Sequence, residues 1–217
     1  MSKTISEIYT EYKIMPSLQN HMLRVAAVAS LVCDNFNEPL EKNNIVIACL
    51  LHDMGNIIKS DLNYFPEFVE PEGLEYWQNV KNEYIKKYGD NEDQAHEKIT
   101  RELGVSSEVI LLVNQNRFSL FCKHKDLGDI NVKIMHYADA RVGPYGVLSY
   151  DERMNEAKKR YQNREDNNLK EEERKRLVAC GKEIEQQIFS KCKIKPEDIN
   201  DESVKSMILE LNNFVVK

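Results

Sequence analysis

Apolar residues recur at intervals of three and four along most of this 217-residue chain. That spacing puts them on one face of an α-helix and leaves little for strands. Leu18, Met22, Val25, Ala29, Val32 and Phe36 make one such face, entered through Pro16 with Ser17 predicted as its N-cap. Ile45 to Leu51 is an unbroken apolar run that periodicity alone does not assign. Its charged start at Glu41-Lys42, its stop at Gly55 and the lack of strand-like neighbours favour a buried helix. Further helices are predicted over 73–88, 91–103 and 106–114, separated by Gly89-Asp90 and Gly104. Another runs from Asp129, its N-cap, to about Val142, where Gly143-Pro144 stops it. The stretch from Lys59 to Gly73 carries several acids, Pro66 and Pro71, and is predicted as a loop outside the core.

All-α is therefore the predicted fold class: a helical bundle over residues 1–150, with additional helices over 151–217. Beyond Tyr150 the composition shifts. Residues 151–163 and 169–190 are dense in charge of both signs, as in Lys170-Glu-Glu-Glu-Arg-Lys-Arg176, which reads as solvated helix faces. A last amphipathic helix is predicted over 202–216, with Val204, Met207, Leu211 and Phe214 as its stripe. That stripe needs a surface to cover, so the extension is expected to serve packing on the core or a partner, a second copy included, more than chemistry.

A hydrophobic content of 41% against 30% charged residues describes an ordinary globular chain, and the net charge of −6 argues against broad nucleic-acid or anionic-membrane binding. No stretch reaches the roughly 18 apolar residues of a membrane span. The first residues have no apolar signal region, and the five cysteines form no Cys-x-x-Cys pair. A reducing cytoplasm is the expectation.

Chemistry concentrates where ionisable groups interrupt apolar faces. His21 is flanked by Leu18 and Val25; His52 and Asp53 follow directly on the buried run; Asp139 shares a face with Val132, Met135 and Val142. Burying such groups unpaired is expensive. One divalent cation shared by His21, His52, Asp53 and Asp139 satisfies all four at once.

Three segments carry a resemblance. HMLRVAAVA around His21, ACLLHDMGN around His52-Asp53 and IMHYADARVG around Asp139 resemble the ordered motifs of the HD superfamily of metal-dependent phosphohydrolases, over roughly residues 15–150. The resemblance implies an all-helical bundle with one divalent metal (Mn, Co, Mg, Ni, Zn or Fe) on those four side chains. It also implies hydrolysis of a small phosphorylated substrate by a metal-activated water, with a nucleotide the leading candidate. Binuclear members carry a further histidine on the helix after the HD motif, which His96 matches. They carry another on the next helix, where this chain offers Asn114 and Asn116. A single metal is therefore expected, leaving His96, Lys59 and Arg24 to meet the phosphate. Arg141, two residues after Asp139, points elsewhere and is expected in a surface or structural salt bridge. Asn56 stands where several branches of the family have an acid or a lysine; an amide donates a hydrogen bond but is no general base. The alternative is a catalytically weak HD-fold module that binds nucleotides or regulates.

Overall fold

The computed structural model describes residues 3–161 and 169–216. Its centre is built from four helices: α2 (Pro16–Asp34), α3 (Lys42–Leu51), α6 (Ser107–Gln115) and α8 (Ile130–Asp139). Helix α2 packs on α3 and α8, and α3 packs on α6 and α8. Close approach is possible because small residues occupy the contact: Ala26, Ala27 and Ala29 of α2 and Ala48 of α3 are completely buried. The Ile45–Leu51 run is a helix buried on every side. An all-apolar helix of that kind belongs in a core rather than on a surface.

Shorter elements surround this centre. Helix α1 (Ile5–Glu11) is capped reciprocally by Thr4 and Glu7, a signal present in the sequence but not used above. Helix α4 (Leu74–Tyr88) packs on α5 (Glu92–Leu103), and α5 packs on α6. Gly104 ends α5 in the left-handed conformation, where a side chain would be strained. A short α7 (Phe121–Asp126), absent from the sequence reading, packs on α8. Helices α9 (Tyr150–Tyr161), α10 (Glu171–Phe189) and α11 (Asp201–Leu211) follow; α10 lies on α7 and α8, and α11 lies on α2. Two-residue strands β1 (Lys3–Thr4) and β2 (Val215–Val216) pair antiparallel.

Several boundaries differ from expectation for local reasons. Helix α2 begins at Pro16 with Met15, not Ser17, in the N-cap position and without a side-chain cap. Proline has no N–H to satisfy and its fixed φ suits the first helical position. Helix α8 ends at Asp139 rather than Val142, and the last helix ends at Leu211, leaving Val215 and Val216 to the strand. The 59–73 stretch is not wholly outside the core: Leu62 and Val69 are buried, and the Trp77 indole N–H donates to the Val69 carbonyl at 3.1 Å. Residues 162 and 163 of the predicted 151–163 helix lie outside the described residues.

The C-terminal helices are tied to the bundle by a buried cation. Arg141 is only 2% exposed. Among the described residues it forms no salt bridge with a carboxylate; its guanidinium donates to the carbonyls of Leu148, Pro196 and Ile199, the last at 2.9 Å, and to the Tyr137 hydroxyl. Tyr137 in turn donates to Glu185 of α10 at 2.8 Å. A disulfide between Cys122 of α7 and Cys180 of α10 makes a second tie, across 58 residues. Such a bridge runs against the expectation of a reducing compartment, which keeps thiols free. Among the described residues no helix is long and apolar enough to cross a membrane.

Replacing Arg141 by Met leaves the Leu148 and Ile199 carbonyls and the Tyr137 hydroxyl without their donor, while the Pro196 carbonyl keeps the Ile199 N–H. The expected loss is roughly 3 kcal/mol or more of unfolding free energy, read from denaturant midpoints. A loss within about 0.5 kcal/mol would show that the cation is dispensable.

Candidate metal centre

Helices α3, α6 and α8 all run towards one point with their C-terminal ends. His52 caps α3 and Asp53 follows it, Asn116 caps α6, and Asp139 is the last residue of α8. Each helix end carries a partial negative charge, roughly half an electron charge, which falls off within a turn and favours a cation there. His21 reaches the same point from the side of α2.

The four expected side chains meet. His21 Nε2 lies 3.1 Å from Asp139 Oδ1 and 3.6 Å from Asp53 Oδ2. His52 Nε2 lies 3.5 Å from Asp139 Oδ1 and 3.7 Å from Asp53 Oδ2. Ligand atoms of His21, His52 and Asp53 all fall within 4.8 Å of one another. Atoms about 2.1 Å from a common tetrahedral ion sit roughly 3.4 Å apart, so the spacing suits one divalent cation.

The hydrogen bonds point the same way. The Nδ1 of His52 faces the Cys49 carbonyl at 2.8 Å. A carbonyl only accepts, so Nδ1 carries the proton and Nε2 presents its lone pair. Nε2 is buried and has no aligned hydrogen-bond partner. Each carboxylate is gripped by an asparagine: Asn56 donates to Asp53 Oδ2 at 3.0 Å and Asn116 to Asp139 Oδ2 at 3.1 Å. Because a carboxylate accepts only, both amide nitrogens must face it. Both amide oxygens are left buried and without a partner. Asn56 therefore first orients Asp53, a role its position three residues on did not reveal.

Without an ion His52 holds a second proton. Burial pulls His52 down, but the charges of Asp53 and Asp139 outweigh it and raise the group to about 9. Burial pushes Asp139 up, yet His52 and His21 hold it well below the usual carboxylate range. A cation takes the place of the His52 proton with the same two carboxylates.

The site forms part of a cavity of about 890 Å³. Lys59 and His96 line it, as expected. Lys59 lies 3.4 Å from Glu92. His96 Nε2 is buried and unpartnered, and burial lowers His96 to about 4, so it meets a ligand as a neutral imidazole rather than as a cation. Arg24 is not brought to the cavity: it sits three residues after His21 but turned aside, with Nε 3.8 Å from Asp201 of α11. His136 lines the cavity, stacked on Phe121 at 4.0 Å between centroids, and His124 faces the Gln115 carbonyl. The sequence leads one to expect the 59–73 loop and the helices after it to shape the pocket, but it does not single out Tyr64, Phe65 and Phe68, nor Arg153, Arg160 and Arg174, which line the cavity. Their sequence neighbourhoods are ordinary loop and charged helix, and nothing local marks them.

A family model for the HD domain matches residues 18–143, more than half the chain. The chain belongs to the HD domain family. HD domains are commonly those of hydrolases and bind divalent metals, and the matched span contains all four converging residues. No curated protein and no solved structure gives a significant match.

The purified HD protein is expected to hold about one divalent ion per chain, and Asp53→Ala to lose it, as read by elemental analysis. Binding should release a proton near neutral pH. Its affinity should then fall as pH falls, by about tenfold per unit for one displaced proton, in a calorimetric series from pH 9 to 6. A wild type that takes up no metal after loading with Mn, Co, Ni, Zn, Mg or Fe would remove the basis for this centre.

Proposed function

We propose that the protein is a single-metal phosphohydrolase acting on a small phosphorylated metabolite, with a nucleotide as the favoured substrate. The observation that carries the reading is the convergence of His21, His52, Asp53 and Asp139 beside a roomy cavity, with the buried His52 Nε2 3.5 and 3.7 Å from the two carboxylates. A divalent ion held there supplies a Lewis acid for a phosphoryl oxygen and lowers the pKa of a water.

The protein's own groups do the rest. The amide oxygens of Asn56 and Asn116 accept hydrogen bonds and fix the direction of an attacking water; neither takes its proton. His96 donates a neutral hydrogen bond to a phosphoryl oxygen, and Lys59 supplies positive charge. Burial works against the Lys59 charge, but Asp53 and Glu92 keep its pKa raised. A nucleotide is favoured because Tyr64, Phe65 and Phe68 cluster on the cavity wall, with Phe65 and Phe68 ring centroids 4.8 Å apart. Aromatic faces of this kind stack on a planar base.

A second reading, a module that binds nucleotides without turning them over, is supported by Asn56: its amide is occupied by Asp53, and it offers no base. Turnover separates the two. A panel of phosphorylated metabolites, each with added Mn, Co, Mg, Ni or Zn, should yield phosphate release; ligand-induced stabilisation without release would favour the module. His96→Ala and Lys59→Ala should keep the metal and lower turnover by roughly one to three orders of magnitude. Release of a metal ion by His96→Ala would instead mean a second ion.

A further inference from the structure

Part of the cavity wall is built by the C-terminal helices. Arg153 and Arg160 of α9 and Arg174 of α10 all line it. Each guanidinium is held by part of its donor set. Arg153 donates from Nε to the Val142 carbonyl at 2.7 Å and from Nη1 to Glu156 at 2.9 Å. Arg160 pairs with the same Glu156 at 2.9 Å, and Arg174 donates from Nη2 to the Met154 carbonyl at 2.8 Å. Among the described residues, Arg174 has no carboxylate within ion-pair distance. Glu156 itself does not line the cavity.

The charges do not balance. Among the described residues one carboxylate serves two of the three guanidinia, so the described part of this wall carries two positive charges beyond its own acids. Lys158, on the same wall, is matched by Glu171, and Arg117 across the cavity is matched by Asp93 at 3.1 Å. Arg153 and Arg160 are largely covered, with side chains 14% and 20% exposed, so water screens them less than it would surface arginines. Arg153 and Arg174 oppose one another's charge, and a backbone carbonyl anchors each of those two in place. That is the arrangement expected of a preorganised anion site.

We propose that Arg153, Arg160 and Arg174 bind the non-reacting phosphates of a substrate carrying two or more linked phosphoryl groups, such as a nucleoside triphosphate. The inference rests on the phosphohydrolase reading and narrows its substrate class. A single phosphoryl group is provided for at the metal centre, by the ion, His96 and Lys59. Two further uncompensated cations in the same cavity call for additional negative charge on the same ligand. Linked phosphates supply it, and guanidinium forks match their oxygens.

The experiment has two arms. In the first, binding of inorganic triphosphate and of orthophosphate to the metal-free full-length protein is measured by calorimetry. Triphosphate should bind at least tenfold tighter than orthophosphate, and Arg174→Gln should reduce that preference by about tenfold. Equal affinity for the two anions, or an Arg174→Gln preference equal to that of the wild type, overturns the proposal. In the second, kcat/KM is compared for a nucleoside triphosphate and the matching monophosphate. Arg174→Gln should lower the triphosphate-to-monophosphate ratio about tenfold, mainly through KM, and Arg174→Lys should restore part of it. An unchanged ratio overturns the proposal. Should Arg174→Gln fail to fold, as judged by circular dichroism, Arg160→Gln takes its place with the same expectations. A wild type that prefers triphosphate in the first arm but hydrolyses nothing defeats the phosphohydrolase reading and leaves the anion site standing. One that hydrolyses monophosphates without any triphosphate preference does the reverse.

Discussion

Two carboxylates, Asp53 and Asp139, face two imidazoles at the end of an apolar bundle, and the arrangement of the helices follows from keeping them there. Left unpaired, either carboxylate would shift the balance against folding by several kcal/mol. The chain pairs them instead with His21 and His52, and fixes their outer oxygens with Asn56 and Asn116. The contributing segments sit at the ends of α3, α6 and α8 and on the flank of α2, so the helices that form the core also set the site. Packing and ligand placement are one problem here. The HD loop is pressed against α5 so closely that a Cβ on Gly55 would stand 2.8 Å from Ala95 and 2.9 Å from His96. The position of His96 is thus coupled to the backbone that carries Asp53.

The cavity is electrically asymmetric. At the metal centre, helix C-termini and carboxylates attract a cation; on the wall built by the C-terminal helices, guanidinia attract an anion. A phosphorylated molecule bound together with a divalent ion satisfies both. The aromatic cluster of Tyr64, Phe65 and Phe68 adds an apolar surface between charged regions.

Much of this was legible in the sequence, for reasons that can be named. His21 and Asp139 interrupt apolar faces at helical spacing, and His52 and Asp53 follow directly on an apolar run, so their need for partners can be read from the sequence. The helix over 45–51 was readable because its flanks carry stop and start signals. Arg24 stands only about 60° round the helix from His21, and its long side chain was misplaced because it turns to Asp201 of α11 instead of the cavity, a partner 177 residues away that helical spacing does not show. The arginine wall was not legible. Arg153, Arg160 and Arg174 lie in segments whose composition is that of any solvated helix. Arg174 reaches the cavity through α10, which packs on α7 and α8 and is tied to them by the Cys122–Cys180 bridge and the Tyr137–Glu185 bond, while Arg153 and Arg160 reach it from α9. Long-range contacts of this sort leave no periodic mark.

His21 and Asp139 are separated by 118 residues, and Arg24 meets Asp201 across a still longer stretch of chain. Contacts so distant in sequence are slow to form, because the loops between them must close before any contact stabilises them. Helix α2, near the start, waits for α8 and then for α11. During synthesis α3 follows at once to cover one side of the first ligand-bearing helix, but the sides that meet α8 and α11 stay exposed until most of the chain is made. An ion that needs His21 and Asp139 together can be held only after that closure. Metal uptake followed against time would then be a clock for the last stage of folding.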